Sequence, residues 1–311
     1  MKKTQLIVIG GATASGKTSL SIELAREYNA EIVSADSMQI YKYMDIGTAK
    51  PDMEERQGIV HHMIDIVNPM NGFSVAEYVK MAHEVISDIT KRGKNAIVVG
   101  GTGLYINSLV NDVDFGENDN DMSVREELEE LSEEKGIDYL VNMLLEFDPV
   151  SAQKIHKNNA KRIIRAIEFY RLTGVPISEH QAETKKKESR YNPCMLAIRW
   201  DMQKLYERIE KRVDIMAQNR LVDEVLSLLK MGCTPDMLSM QGIGYKEILE
   251  HLSGSISLEE AYDKIKLNTR HYAKRQMTWF RRDERINWID YDTDILNNAR
   301  KILDAYFEGE S

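Results

Sequence analysis

Hydrophobic and polar positions along the chain fall into short apolar runs separated by amphipathic stretches. Residues 6–9 (LIVI) form an apolar run, and residues 19–28 follow with a helical pattern. Residues 31–37 (EIVSADS) read as a short strand ending in polar residues, and residues 96–99 (AIVV) as a strand buried on both faces. Between them Val75, Tyr78, Val79, Ala82, Val85, Ile86 and Ile89 recur at helical spacing, which predicts an amphipathic helix over 74–91 that Gly93 stops. Alternating strands and helices predict an α/β core with a mostly parallel sheet. From about residue 112 the pattern changes, and residues 124–135, 140–146 and 161–172 are all helix-patterned. Residues 195–200 (MLAIRW) return to strand character and are expected to rejoin the sheet begun at Leu6. Residues 205–230 predict one long helix or a pair, 264–282 a further helix, and 286–289 a last short strand. The expected organisation is a first core segment at 1–118, an all-helical insertion at 119–189, and a second core segment with C-terminal helices at 190–311.

Composition narrows this picture. No run approaches the ~20 apolar residues of a membrane span, so no membrane partner is expected. Met1 to Thr4 resembles the start of a signal sequence, but the apolar run after it stops at Gly10, too short for one. Cys194 and Cys233 lack metal-site spacing and read as isolated thiols of a cytoplasmic protein, expected to be a monomer. The net charge of −9 argues weakly against a nucleic-acid partner, but its distribution matters more than its sum. Residues 112–134 hold eleven acidic side chains against Arg125 alone, whereas residues 264–285 hold eight Lys or Arg against Asp283 and Glu284.

The chemistry begins at Gly11, Ala12, Thr13, Ala14, Ser15, Gly16, Lys17 and Thr18, which match G-x-x-x-x-G-K-[ST] between an apolar run and a helical pattern. In that context the glycines let backbone N–H groups curl around a phosphate, Lys17 reaches an outer phosphate, and the Thr18 hydroxyl is placed for Mg2+. Asp36 ends the next strand, on the side where open α/β sheets bind ligands, and reads equally as a base beside the phosphates or as an Asx turn. Residues 38–51 form a long loop off that strand, a usual place for function. His61 and His62 lack ligand spacing and read as structural or edge residues. The strand at 96–99 ends in Gly100, Gly101 and Thr102 without the Asp that phosphate-loop ATPases use for Mg2+, a small turn expected to leave space beside the phosphates.

Two helices carry basic faces. Lys161, Arg162 and Arg165 lie opposite Ile163, Ile164, Ile167 and Tyr170. Arg270, His271, Lys274, Arg275, Thr278, Arg281 and Arg282 fall within roughly 140° of arc, with Ile265, Tyr272, Met277, Trp279 and Phe280 on the other side. Acidic partners are nearly absent at i±4 in the second helix, which favours a phosphate backbone over a solvated face.

Taken together, GATASGKT, SADSMQIYKYMDIGTAKP, GGTGLY, KRIIRAIE, IGYKEI and TRHYAKRQMTWFR resemble the bacterial tRNA dimethylallyltransferase family, in order and over nearly the whole chain. The resemblance implies a P-loop kinase-like core with a helical insertion embracing the anticodon stem-loop of tRNA. It implies transfer of the dimethylallyl group of dimethylallyl diphosphate to N6 of the adenosine directly 3′ of the anticodon. Asp36 is then the general base, Thr13 and Arg212 hold the diphosphate, and the phosphate loop binds the departing diphosphate. The tRNA is met, by the same resemblance, by Asp36, Ser37, Met38 and Gln39, by Thr102, and by Arg125. Asn159, Ala160, Lys161, Arg162 and Ile163 meet it in the insertion, and Gln241, Gly242, Ile243, Gly244, Tyr245 and Lys246 further on. The basic face adds Lys274 and Arg275. A small-molecule kinase using ATP is the alternative; it accounts for the loop and Asp36 but not for the basic helices or DIGTAKP. A non-catalytic RNA-binding adaptor would leave the phosphate loop without purpose.

Overall fold

The computed structural model describes residues 3–115, 123–184 and 187–309. Its chain divides into two compact units, Met1–Val110 with Arg190–Ser311, and Asn111–Ser189. The expected boundary at 118/119 lies outside the described residues.

In the first unit, β1 (Thr4–Gly10) leads through the phosphate loop into α1 (Lys17–Glu27), followed by β2 (Ala30–Ser34) and the two-residue strand β3 (His61–His62). Helix α2 (Val75–Lys91) starts where Ser74 and Glu77 form a reciprocal capping box. After β4 (Asn95–Val99), the glycine turn opens directly into α3 (Gly103–Val110), a helix the periodicity did not reveal.

The second unit consists of α4 (Ser123–Lys135), α5 (Ile137–Phe147), α6 (Pro149–Lys154), α7 (Ala160–Thr173) and α8 (Ile177–Thr184). Its core joins Leu128, Leu140, Leu144, Ile163, Ile164 and Ile167, and Tyr170 stacks on Phe147 with ring centroids 3.9 Å apart. Glu168 is buried and accepts from Arg125 and Arg165, each at 2.8 Å. A buried carboxylate needs such partners, so Arg165 leaves the expected basic stripe for an internal ion pair.

The first unit resumes with β5 (Tyr191–Arg199), α9 (Met202–Gln218), α10 (Leu221–Lys230), a 3-10 turn at Leu238–Gln241, α11 (Tyr245–Leu252), α12 (Leu258–Phe280), β6 (Ile286–Asp290) and α13 (Ile295–Glu308). The predicted 205–230 segment is therefore a pair of helices, broken at Arg220 with φ 67°. Helix α12 starts earlier than the basic pattern indicated because Ser257 and Glu260 cap it. Helix α13, also unanticipated, lies on α1 through a stack of Tyr28 on Phe307.

The six strands form a parallel sheet in the order β3-β2-β4-β1-β5-β6. Central β1 is buried from Leu6 to Ile9, with Ile7 facing Ile97 on one neighbour and Cys194 on the other. Cys194 is a buried free thiol in this core, and Cys233 is likewise buried and free. His61 and His62 are the edge of the sheet, His62 Nε2 lying 2.7 Å from the Glu31 carboxylate. Since all strands run the same way, the turns after β1, β2 and β4 meet at one end, where an open α/β sheet presents its ligand crevice.

Candidate active site

Three backbone positions shape the phosphate loop: Gly11, Ala14 and Gly16 have φ of 133°, 60° and 90°. Positive φ here turns successive N–H groups inward, and glycine bears it without steric cost. The loop is tied down by side chains from far along the chain. Gln276 accepts from the Thr13 N–H at 2.9 Å, Arg208 Nε donates to the Ala14 carbonyl at 2.8 Å, and Trp200 Nε1 donates to the Ser15 carbonyl at 3.0 Å. Arg212 donates to Thr13 Oγ1 at 3.0 Å. Ser15 Oγ is buried with no hydrogen-bond partner among the described residues. The loop is thus held in its anion-binding shape by distant side chains, three of which, Gln276, Arg208 and Arg212, also line the cavity beside it.

The loop lines a cavity of about 830 Å³ shared by Lys17, Thr18, Asp36, Gly101, Arg212 and Tyr272. Lys17 donates to the Ala12 carbonyl at the cavity floor. Burial and the nearby Arg212 push its pKa down from 10.5 to about 7, against the pull of Asp36. Burial lowers the Arg212 pKa as well, opposed mainly by Asp36. Lys17 and Arg212, buried close together, each disfavour the other's charge, the condition an anionic ligand relieves.

Asp36 makes the Asx turn and also stands on the cavity wall. Its Oδ1 accepts from the Met38 and Gln39 N–H groups at 2.9 and 3.2 Å, an Asx turn, while the residue lines the cavity. Thr102 stitches the β4 turn to the β2 turn: its Oγ1 accepts from the Ser37 N–H at 3.0 Å and its own N–H reaches the Ala35 carbonyl at 3.2 Å. Gly100 and Gly101 of that turn line the cavity, and the turn also packs closely on its other neighbours. A Cβ on Gly100 would stand 2.1 Å from the Ala35 carbonyl oxygen, one on Gly101 2.1 Å from Gln276, and one on Gly103 2.3 Å from the Trp279 ring. The absence of a Cβ at these positions permits that close packing.

The DIGTAKP segment is a wall of the same cavity, built from both of its backbone edges. Glu224 of α10 accepts from the N–H groups of Asp45, Ile46 and Gly47 at 2.8, 2.7 and 3.0 Å, and from the Tyr245 hydroxyl at 2.7 Å. On the other edge, the Thr48 and Ala49 carbonyls accept from Gln39 and from Arg212 at 3.3 to 3.5 Å. Lys50 is buried and bonds Asp45, Asp65 and the Tyr41 carbonyl at 2.6, 2.5 and 2.8 Å. Gly47 is required because a Cβ there would lie 2.6 Å from the Tyr245 ring.

Other sequence-expected residues divide by exposure. Tyr245 and Ile163 are almost completely buried, and Gly244 is buried too. The Tyr245 and Ile163 side chains therefore pack inside the protein. Gln241, Lys161 and Arg162 are exposed, while Gly242, Ile243, Lys246 and Ala160 are half-buried. Asn159 caps α7 by accepting from the Arg162 N–H at 3.3 Å. On α12, Lys264, Lys266 and Arg270 do find carboxylates, Glu250, Asp214 and Glu210, on other helices. Lys274, Arg275, Arg281 and Arg282 are exposed without an ion-pair partner among the described residues. Trp279, assigned to the inner side of α12 by its angle, is 39% exposed. Sequence reasoning passed over Gln276, Trp200, Arg208, Tyr272 and Glu224 as parts of the site. Of these only Gln276 left a trace, a lone amide beside apolar Ala273, Met277 and Phe280 on the inward face.

Among the described residues no helix is long and apolar enough to cross a membrane. The family model for IPP transferase matches residues 39–283. The chain is 52% identical over 306 residues to a tRNA dimethylallyltransferase of Acetivibrio thermocellus, covering 97% of this chain and 98% of that one. It superposes on the tRNA isopentenylpyrophosphate transferase of Bacillus halodurans with a TM-score of 0.72 at 41% identity, covering 99% and 96% of the two chains. A eukaryotic dimethylallyltransferase, solved acting on tRNA, superposes with a TM-score of 0.88 at 31% identity over 98% of this chain and 80% of that one. A likeness that runs through the phosphate loop, the DIGTAKP wall and α12 alike covers the site as well as the fold, and the chain belongs to the IPP transferase family.

Proposed function

We propose that this enzyme transfers the dimethylallyl group of dimethylallyl diphosphate to N6 of the adenosine directly 3′ of the anticodon of tRNA, releasing diphosphate. One observation carries the reading: Lys17, Arg212 and the phosphate loop converge on a single cavity with a carboxylate, Asp36, on its wall. An adenine amine is a weak nucleophile, so transfer needs a good leaving group and a base. The N6–C1 bond forms as the C1–O bond breaks. The electron pair leaves on the diphosphate oxygen, which the loop N–H groups, Lys17 and Arg212 stabilise. The N6 proton passes to the Asp36 oxygen that the Asx turn leaves unused. Thr13, held between Arg212 and Gln276, fixes the loop beside the diphosphate.

Thr18 faces the cavity, and the described residues form no preformed cluster of three metal-binding side chains. Mg2+ would fit here through the Thr18 hydroxyl and diphosphate oxygens, where it supplies neutralising charge for the leaving group. A base inside a stacked loop is out of reach, so the adenosine flips into the cavity. Lys274, Arg275, Lys161 and Arg162 hold stem phosphates, which need only exposed cations. The protein acts in the cytoplasm as a monomer. The test is to incubate it with unmodified tRNA and dimethylallyl diphosphate and to analyse the nucleosides by mass spectrometry. An adenosine heavier by one dimethylallyl group at that position is expected. Phosphoryl transfer from ATP, with the tRNA unmodified, would refute the reading.

A further inference from the structure

Helix α12 ends on glycines. Phe280 would meet a Cβ on Gly10 at 2.5 Å, Gln276 one on Gly101 at 2.1 Å, and Trp279 one on Gly103 at 2.3 Å. The first two side chains are buried and the third is not: Trp279 is 39% exposed, and Leu104, next to the glycine beneath it, is 48% exposed. Large apolar side chains exposed beside one another in a cationic surface are informative in a way that scattered ones are not. Around the indole, Arg275 and Arg282 lie within one helical turn on the outward face, and neither has a carboxylate partner among the described residues.

The position of this ring relative to the cavity follows from chain geometry. Gly101 lines the cavity, and Gly103 underlies the indole only two residues further on. Two Cα–Cα steps span at most ~7.6 Å, close to the spacing of neighbouring nucleotides along a strand. Tyr272 and Gln276, which line the cavity, precede Trp279 by seven and three residues and share its side of α12.

We propose that the Trp279 indole is a stacking platform for the unpaired nucleobase adjoining the adenosine that enters the cavity. The inference rests on the RNA-modifying reading above and deepens it. The exposed π-face takes a base of any identity, and the cations beside it suit the phosphates on either side of that base. When the target adenosine leaves the loop stack, its neighbour loses a stacking partner, and the indole at the cavity rim replaces it.

The test uses the full chain and anticodon stem-loop RNAs carrying a single abasic site at each unpaired loop position in turn. Dissociation constants are measured for wild type, Trp279→Ala and Trp279→Leu. The leucine variant keeps an apolar cover over Gly103 without an aromatic face, and melting temperatures control for the fold. Trp279→Ala and Trp279→Leu are each expected to weaken binding of the intact stem-loop by ~10- to 100-fold. That penalty should vanish for the RNA lacking the base next to the target adenosine and persist for RNAs lacking other bases. An equal penalty against every abasic RNA overturns the proposal, as does wild-type affinity of the leucine variant. Failure of the wild type to bind any stem-loop would instead sink the RNA-modifying reading, and the proposal with it.

Discussion

Replacing Lys17 with methionine should stabilise the ligand-free protein, and by an amount that depends on pH. The unfolded chain binds the lysine proton up to pH 10.5, while in the folded protein burial and Arg212 release it near pH 7. Between those values the unfolded state holds more protons, so wild-type stability rises as pH rises through the window. At ~1.4 kcal/mol for each tenfold difference, the lysine costs the empty fold up to ~4 kcal/mol at pH 6.5 and ~2 kcal/mol at pH 9. The variant also frees the Ala12 carbonyl of its donor, a loss of about 1 kcal/mol that does not vary with pH. The robust quantity is therefore the difference between the two conditions, ~2–3 kcal/mol. Urea unfolding of both proteins at pH 6.5 and 9 measures it. Pyrophosphate should reverse the order, because an anion beside Lys17 restores its charge: the wild type gains stability, the variant gains little. Calorimetry at pH 7 in buffers of different ionisation enthalpy should then find about half a proton taken up by the lysine per pyrophosphate bound. A stability gap equal at the two pH values would mean that Lys17 titrates normally in the fold, and the electrostatic account of the site would fail.

Asp36→Ala should leave stem-loop affinity within a few-fold and slow single-turnover transfer by ~10²–10⁴, the usual worth of a general base; an unchanged rate at saturating substrates would remove it from that role. Glu224→Gln should raise the KM for the prenyl donor by ~10-fold with a smaller fall in kcat, because the weakened DIGTAKP wall no longer fixes Arg212. Tyr245→Phe should do the same more mildly, and a fall in kcat alone would argue against this chain of positions. Replacing Lys274 and Arg275 together with alanine should reduce the salt slope of tRNA binding by about two, one for each phosphate no longer neutralised, equally for cognate and non-cognate stem-loops. A wild-type slope with a lowered melting temperature would make the face structural.

What the sequence made legible was local. The phosphate loop, the strand ends and the α2 helix depend on spacing within a few residues, and the parallel sheet follows from their alternation. Helix α3 escaped because it begins at a glycine and presents almost no polar face: Tyr105, Ile106, Ser108, Leu109 and Val110 are all buried. Asp36 stayed ambiguous in sequence because the Asx turn and a place on the cavity wall do not exclude each other: the residue has both. The cations of α12 looked unpaired because their carboxylates come from α9 and α11, remote in sequence, which no i±4 rule can see. Trp279 was misplaced for a related reason. Helical angle divides a helix into halves, but the glycine turn beneath α12 lets the indole lie along the edge and face solvent.

The DIGTAKP segment shows how far recognition can run ahead of explanation. A run of small and charged residues after a strand reads as a loop made for a ligand, yet three of its seven side-chain positions are specified by the chain itself. Gly47 makes room for Tyr245, while Asp45 and Lys50 hold each other. Much of its backbone is also engaged, three N–H groups on Glu224 and the Thr48 and Ala49 carbonyls on Gln39 and Arg212. The segment's carbonyls brace Arg212, whose guanidinium donates to Thr13, so in the proposed function the segment acts on the donor through that arginine. Substitutions in the segment should consequently act on the donor through Arg212 even where the altered side chain points away from the cavity. Because Tyr245 joins the same carboxylate, the turn at 241–246 and the cavity wall share one support, and a perturbation at either end should reach the other through Glu224.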